Sequence, residues 1–266
     1  MEILKLLIIG VIQGVTELLP VSSSAHILLL GEIMSLKVSS SLLITFHLGT
    51  TLAIILFFWS KIFKDFFTKS KLKFFLKIIV ASIPVGIVGF FFDDFISEKL
   101  RDEWIIALSL IVWGIVMIVI EKKCTKNEEE ILGNVEDISW EQALVIGSSQ
   151  ILALIPGTSR SGITTIVGVL MGMNKYVALK FSFFLSIPVL LGTFILLFVK
   201  NHTIASFTQI VGEPVLFNTL IIIVSTLLFG IITLLSLQMV KKSQWLTVFG
   251  IYRIILGVVI LLLFYL

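Results

Sequence analysis

The sequence predicts an all-α polytopic membrane protein, and its composition is the first observation behind this prediction. Hydrophobic residues fill 58% of the 266 positions and charged residues only 14%, and the mean hydropathy is +1.12. Soluble globular domains are roughly 45–50% apolar and about 25% charged. Uncharged runs at 104–120 and 215–240 are long enough, or nearly so, to cross a hydrocarbon core about 30 Å thick.

Two of the apolar segments, 25–36 and 162–173, are too short to span a bilayer, and each follows a polar stretch that contains a proline. Short helices beside such interruptions are typical of re-entrant hairpins, whose loose backbone must be covered by protein or water. We therefore predict two re-entrant helical hairpins and about six spanning helices in a single domain, 1–266. The apolar segments are 3–19, 25–36, 41–59, 74–92, 104–120, 141–155, 162–173, 176–199, 215–240 and 245–266.

Lysines predict which ends of the helices face the cytoplasm. They are concentrated at 60–77, at 121–138 and at Lys241–Lys242, and basic loops lie on the cytoplasmic side. The loop 93–103 is acidic and is expected outside, as are 200–214 and both chain termini. The first apolar run has no cleavage-like flank, so we expect it to belong to the mature fold.

The two halves of the chain resemble each other at an offset of 136 residues, which places Pro20 on Pro156. The lysine pattern gives the corresponding spanning segments opposite directions. Similar halves with opposite topology form an inverted repeat, whose broken helices meet near the midplane around a ligand site. We predict 1–125 and 138–266 as the two repeats. The same offset pairs Ser22 with Thr158, Ser23 with Ser159 and Ser24 with Arg160.

The stretch 149–165 holds a polar island, PGTSRSG, with apolar residues on both sides. A guanidinium at bilayer depth is costly, so Arg160 is by default a functional-site hypothesis. Arginine can donate two parallel hydrogen bonds to phosphate oxygens and keeps its charge. The alternative is that Arg160 pairs with Glu17 only to hold the re-entrant loops together. The candidate phosphate-binding residues of this island are Gly157, Thr158, Ser159, Ser161 and Thr164.

The stretch 13–26 contains a second polar island. Glu17 lies within an apolar run, where an unpaired carboxylate is strongly disfavoured. It is a candidate metal ligand or general base, and the alternatives are a structural ion pair or a place near the outer interface. Gln13 shares its helix face and is either a site ligand or a helix–helix hydrogen-bonding residue.

Three serines and a histidine follow Pro20. Ser22, Ser23 and Ser24 can cap the next helix, whose N-terminus is then suited to binding phosphate. Ser23 and His26 can face the same point, which is compatible with a hydroxyl nucleophile assisted by an imidazole. The alternative for His26 is a satisfied core residue.

Three further polar residues are not expected to take part in catalysis. His47 comes early in a spanning segment, and His202 falls in an outer loop. Arg253 is close enough to a helix end to extend its charged head to the interface, so we interpret it as structural.

The motifs QGVTELLPVSSSAH at 13–26 and PGTSRSGIT at 156–164 closely resemble the undecaprenyl-pyrophosphate phosphatase family of the bacitracin-resistance type. The resemblance covers essentially the whole chain. It implies hydrolysis of undecaprenyl pyrophosphate to undecaprenyl phosphate, which recycles the lipid carrier of cell-wall synthesis and confers bacitracin resistance. It also implies a multi-pass protein of the bacterial plasma membrane with its active site open to the outer face. Bacitracin would compete indirectly, by binding the substrate.

The resemblance implies catalytic roles for Glu17, Ser23, His26 and Arg160, and a divalent metal, Mg²⁺ or Ca²⁺, near Glu17. Many members have a glutamate where this chain has Gln13, so a cage of two carboxylates is not available here. Glutamine can still offer a neutral oxygen, and magnesium often relies on substrate phosphates and waters.

Composition and alternatives complete the prediction. The net charge is only +3 and the lysines lie in a few loops, so we expect no nucleic-acid partner. A homodimer is one assembly that we consider. A single cysteine, Cys124, excludes an intramolecular disulfide. The competing function is a transporter or flippase of undecaprenyl phosphate that uses the same midplane pocket. A third hypothesis is that the protein is a lipid-binding scaffold. For the hydrolysis itself, the alternative to Ser23 as nucleophile is a water activated by Glu17.

Overall fold

The structure is a computed structural model that describes residues 2–36, 40–124, 134–200, 215–239 and 244–265. Within these ranges every regular element is a helix, as the composition predicts. Single 3₁₀ turns lie at Val135–Asp137 and Leu152–Leu154. The α-helices are α1 (Glu2–Thr16), α2 (Ser23–Ile33), α3 (Ser40–Phe57), α4 (Trp59–Phe63), α5 (Lys69–Lys99), α6 (Glu103–Cys124), α7 (Trp140–Ser149), α8 (Arg160–Leu170), α9 (Lys175–Lys200), α10 (Val215–Met239) and α11 (Trp245–Tyr265).

Five of the described helices, α5, α6, α9, α10 and α11, are long and apolar enough to cross a membrane. Helix α3 is apolar over Leu42–Phe57 but shorter. Large apolar side chains cover the outer surface, as at Ile79, Ile83 and Ile87, which share one exposed face of α5. A soluble protein rarely exposes such an extended apolar stripe. The protein is therefore a multi-pass membrane protein.

Two interruptions separate the short helices from the helices before them. We call residues 17–22 break 1 and residues 150–159 break 2. The first apolar segment was predicted to run to residue 19, but α1 ends at Thr16. Proline near a helix end removes a backbone donor and clashes with the preceding turn, so Pro20 accounts for the earlier end.

Helices α2 and α8 begin in the same way. Ser22 and Ser159 precede them with φ of 69° and 70°, a left-handed conformation that few non-glycine residues adopt. Ser23 and Arg160 are then the first residues of the two 11-residue helices. These starts are 137 residues apart, one more than the predicted offset of 136, because break 2 has one more residue between its proline and its helix.

Capping differs between these two helices. The Ser159 hydroxyl accepts a hydrogen bond from the Gly162 N–H at 3.2 Å, as an N-cap residue should. Ser22 makes no such bond, and its hydroxyl lies 3.1 Å from the Ser24 hydroxyl instead. The expectation that the serines cap α2 is therefore wrong for Ser22, and the first N–H groups of α2 receive no N-cap side chain.

The main hydrophobic core lies at the lysine-bearing end of the bundle. Phe58, Phe74 and Phe184 meet there with ring centroids 5.1–5.4 Å apart, and the same core includes Ile138 and Trp245. Helix α6 packs against α11, α1 and α3 pack against α10, α5 packs against α7, and α3 packs against α9. This packing buries most of break 1 and the Gly157–Thr158 part of break 2, whereas Leu152 of break 2 is exposed.

Polar pairs tie the lysine-bearing ends together. The Glu121 carboxylate accepts from Lys175 Nζ at 2.7 Å and from the Leu246 N–H at 2.8 Å. Lys71 pairs with Glu136 across the same end. The helix ends that the lysine pattern assigns to one side of the membrane therefore lie next to one another.

Candidate active site

Glu17 is the centre of the site because it connects break 1 with both short helices. Ser23 Oγ donates to Glu17 Oε2 at 2.6 Å, and Arg160 Nη2 donates to Glu17 Oε1 at 2.7 Å. The carboxylate is only 8% exposed, so the guanidinium compensates a charge that would otherwise be costly at this depth. The structure thus brings together three of the four predicted catalytic residues.

Gln13 and His47 complete this group. Gln13 is 0% exposed, and its Nε2 donates to Glu17 Oε2 at 3.0 Å and lies 2.9 Å from His47 Nδ1. His47 Nδ1 is 3.2 Å from Glu17 Oε2. His47 was predicted not to be catalytic, and that stays a prediction; it nevertheless lies beside Glu17, because α3 packs beside α1 and carries it there. His202, which was also predicted not to be catalytic, falls outside the described residues.

His26 faces away from Ser23. Its Nδ1 lies 2.8 Å from the Ser22 carbonyl oxygen and must donate to it, since a carbonyl can only accept. Its Nε2 is then free to accept from the Tyr252 hydroxyl at 2.6 Å. The predicted pairing of Ser23 with His26 is therefore not formed here, because both ring nitrogens have other partners. A catalytic role for His26 stays a prediction.

Arg253 holds the two breaks together. Its Nη1 donates to the Pro20 carbonyl at 3.1 Å, and its Nη2 donates to the Gly157 and Thr158 carbonyls at 2.7 and 2.9 Å. It is 0% exposed, so the expectation that its head reaches the interface is wrong. These three carbonyls lie outside the helices, and a charged donor satisfies them.

Break 2 lies directly against α6. Gly157 has a φ of +91°, and a Cβ at this position would lie 2.5 Å from the Ile106 carbonyl oxygen. The Thr158 hydroxyl is 2.9 Å from the Ser109 hydroxyl on the same helix. Glycine is required here both for its backbone conformation and for the close approach. Gly162, by contrast, is an ordinary helical residue of α8.

Several predicted phosphate-binding residues form the frame of the site instead. The Ser161 hydroxyl donates to the Leu19 carbonyl at 3.1 Å, and the Thr164 hydroxyl donates to the Ser182 hydroxyl at 2.7 Å. Because these hydroxyls have internal partners, they join break 2 to break 1 and to α9. Gly157, Thr158, Ser161 and Thr164 do not line the cavity described next.

A cavity of about 330 Å³ lies between the breaks and is open to the outside of the bundle. Arg160 contributes to its polar wall, and its Nη1 is buried without a hydrogen-bond partner among the described residues. The rest of the wall is largely apolar and includes Leu43, Leu154 and Leu190. The other polar residues of the breaks, of α2 and of α3 that line it are Glu17, Ser22, Ser23, Ser24, His47, Gln150 and Ser159.

Asp93 and Arg101 also line this cavity, from the loop that joins α5 to α6 and the helix end before it. Burial lowers the pKa of the Arg101 guanidinium, and the charge of Asp93 opposes that shift. Arginine nevertheless keeps its proton in proteins. The cavity therefore contains a second permanent cation, at the end of the bundle opposite the lysine-bearing loops.

Comparison with known proteins assigns the chain to a family. Residues 6–259 match the family described as "Bacitracin resistance protein BacA". The chain belongs to the BacA family. The match covers nearly the whole chain, which confirms the resemblance that the two motifs indicated.

Curated relatives of this BacA-family chain are similar over their full length. It is 38% identical to "Undecaprenyl-diphosphatase 1" of Clostridioides difficile (strain 630), across 100% of this chain and 97% of the relative. It is 35% identical to "Undecaprenyl-diphosphatase" of Enterococcus faecalis, across 98% and 97% of the two chains. A Campylobacter jejuni protein with the same description is 36% identical, across 100% and 96%.

The BacA-family site also contains residues that sequence reasoning missed. His47, Tyr252 and Arg101 lie far along the chain from both motifs, so no spacing could associate them with Glu17 or His26. Gln150 opens break 2 and lines the cavity, and its Oε1 is buried without a partner among the described residues. The available signal for His47 was an imidazole within an otherwise apolar spanning segment.

Proposed function

We propose that this chain hydrolyses undecaprenyl pyrophosphate to undecaprenyl phosphate and inorganic phosphate, which returns the lipid carrier to cell-wall synthesis. One observation carries the proposal: Ser23 and Arg160 both contact the Glu17 carboxylate at the wall of a cavity whose other side is apolar. A diphosphate needs the polar wall, and a polyprenyl chain needs the apolar one. The descriptions of the relatives agree with this substrate.

Ser23 is the candidate nucleophile. Its hydroxyl donates to Glu17 Oε2 at 2.6 Å, so Glu17 is placed to take the proton as Oγ attacks the terminal phosphorus. The bond between that phosphorus and the bridging oxygen breaks, and undecaprenyl phosphate leaves. Water then hydrolyses the phosphoserine. In the alternative route, Glu17 activates a water that attacks the phosphorus directly.

Arg160 and the start of α2 would stabilise the negative charge of the transferring phosphoryl group. The Arg160 Nη1 amino group, which carries two hydrogens, has no hydrogen-bond partner in the described part of the chain. The α2 N-terminus begins at Ser23 and is not capped by the Ser22 side chain. Positioned donors of this kind are usually the largest contribution to phosphoryl-transfer catalysis. Ser24 and Ser159 line the same cavity and are further candidate donors.

We also propose a divalent cation, Mg²⁺ or Ca²⁺, held by Glu17 and Gln13. The described residues contain no cluster of three or more acidic, histidine or cysteine ligands. However, Gln13 Oε1 is buried without a hydrogen-bond partner among them, and an amide oxygen is a suitable ligand for these hard cations. When bound, the cation would neutralise part of the negative charge of the diphosphate.

The inverted repeat is supported by the way the helices pair. If α1, α2, α3, α5 and α6 correspond to α7, α8, α9, α10 and α11, the contact of α1 with α10 becomes the contact of α7 with α5. The contacts of α3 with α9 and of α6 with α11 each join two corresponding helices, so exchange of the two halves leaves them unchanged. This pattern supports repeats at 1–125 and 138–266, with α2 and α8 in the two re-entrant hairpins and α3 as the sixth spanning helix.

We place the active site on the outer side of the bacterial plasma membrane, with both termini outside. The lysine pattern puts the loop after α5 outside, and Asp93 and Arg101 of that region line the cavity. In this arrangement bacitracin would act on the enzyme only by sequestering its substrate. A homodimer is included as the assembly to be tested by the mass of the protein in detergent.

The test is phosphate release from undecaprenyl pyrophosphate by the purified protein, with and without EDTA. Metal-dependent release by the wild type that is lost in Ser23→Ala and Arg160→Ala supports the proposal, and Ser60→Ala on the exposed surface is the control. Phosphate release that persists in Ser23→Ala supports the route in which a water activated by Glu17 is the nucleophile. No release by a folded wild type with any metal contradicts hydrolysis.

The second candidate function, transport of undecaprenyl phosphate, is favoured by the same symmetric helix pairing. Transporters with inverted repeats bind substrate between the repeats. Transport requires a second state that opens to the lysine-bearing end, where the main hydrophobic core lies. Movement of undecaprenyl phosphate between the leaflets of proteoliposomes measures this function, and Ser23→Ala should leave it intact if transport is separate from hydrolysis.

A further inference from the structure

Gln150 is the first residue of break 2 and is almost completely buried. It is 1% exposed and lines the cavity. Its Nε2 donates to the Gly147 carbonyl at 3.3 Å, whereas its Oε1 has no hydrogen-bond partner in the described part of the chain. A buried acceptor without a partner is costly, so such a group in a native structure needs an explanation.

The Gly147 carbonyl determines the orientation of this amide. It also accepts the backbone N–H of Gln150 at 3.1 Å. Exchange of the side-chain oxygen and nitrogen would place Oε1 3.3 Å from that carbonyl oxygen, and two acceptors repel each other. The nitrogen of the amide therefore faces Gly147, and the oxygen is the atom left without a partner.

Comparison with Gln13 explains why Gln150 lacks a partner. Each glutamine lies ten residues before the first residue of a short helix, α2 or α8. Four residues after Gln13 comes Glu17, whose carboxylate binds the Gln13 amide. Four residues after Gln150 comes Leu154, which also lines the cavity. The second half of the chain thus has the amide but no carboxylate at the same spacing.

Arg160 provides a complementary group at the other end of break 2. Its Nη1 amino group is a buried donor without a partner among the described residues, and Arg160 lines the same cavity. A small anion that satisfies both side chains must have an oxygen that accepts from Arg160 and an O–H group that donates to Gln150. Hydrogen phosphate has both at neutral pH, whereas sulfate has the same shape but only acceptors. The pair therefore favours a protonated phosphate.

We propose that Gln150 and Arg160 form a binding site for inorganic phosphate, in which Gln150 Oε1 accepts the P–OH hydrogen and Arg160 Nη1 donates to another phosphate oxygen. The inference rests on the proposed function for the source of the phosphate, which is released into this cavity by the hydrolysis. The terminal phosphoryl group of the substrate has a matching O–H group only when it is protonated. Gln150 thus recognises the product by the hydrogen that it carries.

Binding of two anions tests the site without any turnover. Sodium phosphate and sodium sulfate are titrated at neutral pH and constant ionic strength, and the unfolding temperature of the purified protein in detergent reports their binding. We expect the wild type to bind phosphate about 10- to 100-fold more tightly than sulfate, the usual effect of one hydrogen bond to a charged group. Both salts also stabilise proteins without occupying a site, so the preference is compared with that of a variant.

Gln150→Met is the test variant, because it keeps the length of the side chain and removes the acceptor. Its affinities for phosphate and sulfate should converge, since the O–H group of phosphate no longer has a specific partner. Without either anion, its unfolding temperature should equal or exceed the wild-type value, because a buried oxygen without a partner has been removed.

Gln142→Met is the matched control in α7. The Gln142 amide has partners on both atoms, since it donates to the Met171 carbonyl at 3.0 Å and accepts from the Ser139 N–H at 2.9 Å. This variant should lower the unfolding temperature and keep the preference for phosphate. The pair of variants therefore separates a ligand-binding amide from a structural one.

Kinetics with undecaprenyl pyrophosphate distinguish the product from the substrate as the source of the bound phosphate. Gln150→Met should raise the inhibition constant of inorganic phosphate by about 10- to 100-fold. An unchanged KM assigns the site to the released phosphate alone. A KM that rises by a similar factor assigns it also to the protonated terminal phosphoryl group of the substrate.

Three results would overturn the inference. The first is a wild type that binds phosphate and sulfate equally well. The second is a Gln150→Met protein that keeps the wild-type preference for phosphate. The third is a loss of folding or stability in Gln150→Met like that of Gln142→Met, which would make the amide structural. If the wild type prefers phosphate but releases none from undecaprenyl pyrophosphate, the proposed function fails and the phosphate site stands.

Discussion

Ser23 and Arg160 are the first residues of two short helices from opposite halves of the chain, and both donate to the carboxylate of Glu17, at 2.6 and 2.7 Å. Each follows a serine with a left-handed backbone. The two helices thus place a hydroxyl and a guanidinium at equivalent positions and direct both to one anion. Hydrolysis of a phosphate anhydride needs a nucleophile and a positive charge close to the same phosphoryl group, and this arrangement supplies both.

Glu17→Gln should lower kcat by about 10²- to 10⁴-fold, the usual contribution of a general base. The amide cannot take the Ser23 proton, although its size is unchanged. The rate of phosphate release under saturating substrate measures this effect. Glu32→Gln, at an exposed position near the end of α2, is the matched control and should retain the wild-type rate. Equal rates for both variants would show that Glu17 does not take the Ser23 proton.

Arg253→Met should reduce both stability and activity. The substitution removes hydrogen bonds from a charged group to three carbonyls, each worth about 1.5–3 kcal/mol. We expect the free energy of unfolding, measured by SDS titration in mixed micelles, to fall by at least about 3 kcal/mol. Arg253→Lys should lose less unfolding free energy than Arg253→Met but remain less stable than the wild type, because one ammonium group cannot reach all three carbonyl oxygens. Unchanged activity in Arg253→Met would show that the breaks keep their positions without this clamp.

Gly157→Ala and Gly172→Ala form a matched pair, because both glycines have positive φ, at +91° and +83°. Gly172 has open space around it, whereas a Cβ at Gly157 would meet the α6 backbone. Gly172→Ala should cost about 1–2 kcal/mol for its backbone conformation. Gly157→Ala should cost a further 1–3 kcal/mol, roughly, because of the clash. SDS unfolding measures both values, and similar losses would contradict the close approach of break 2 to α6.

Glu121→Gln should affect stability and leave kcat almost unchanged. The side chains of Glu121 and Lys175 are only 3% and 5% exposed, and loss of one partner leaves the other charge buried, at a cost of about 3–5 kcal/mol. Lys175→Met in the same protein should recover much of the loss, because the buried ammonium group is then removed as well. A double variant that is less stable than Glu121→Gln would contradict this explanation. Phosphate release at saturating substrate checks that the active site is unaffected.

The membrane class and the helix positions were predictable from local sequence. Predicted and observed bounds of α6 and α9 differ by only a few residues, because a spanning helix requires a continuous apolar run whatever its neighbours. The two motifs were also sufficient for the family, and they contain Glu17, Ser23 and Arg160. Prolines and hydroxyl residues within apolar surroundings were enough to locate both breaks.

The partners of each polar side chain were not predictable in the same way. Spacing suggested that His26 assists Ser23, but the Ser22 carbonyl and Tyr252 bind its ring. His47 was associated only with an early position in a spanning segment, but it contacts Gln13. A hydrogen bond depends on side-chain direction and on which distant helix is adjacent, and neither follows from distance along the chain.

The sequence by itself determined that this is a helical membrane protein of the BacA family, with two polar breaks that carry its chemistry. The tertiary structure decided how those breaks are used: Arg253 joins them, Glu17 binds both short helices, and four of the predicted phosphate-binding residues form the frame. The physical reason is that apolar runs and broken helices follow from local interactions with the bilayer and the backbone. A buried charge or donor, by contrast, must find its partner among whichever groups the packing brings within about 3 Å.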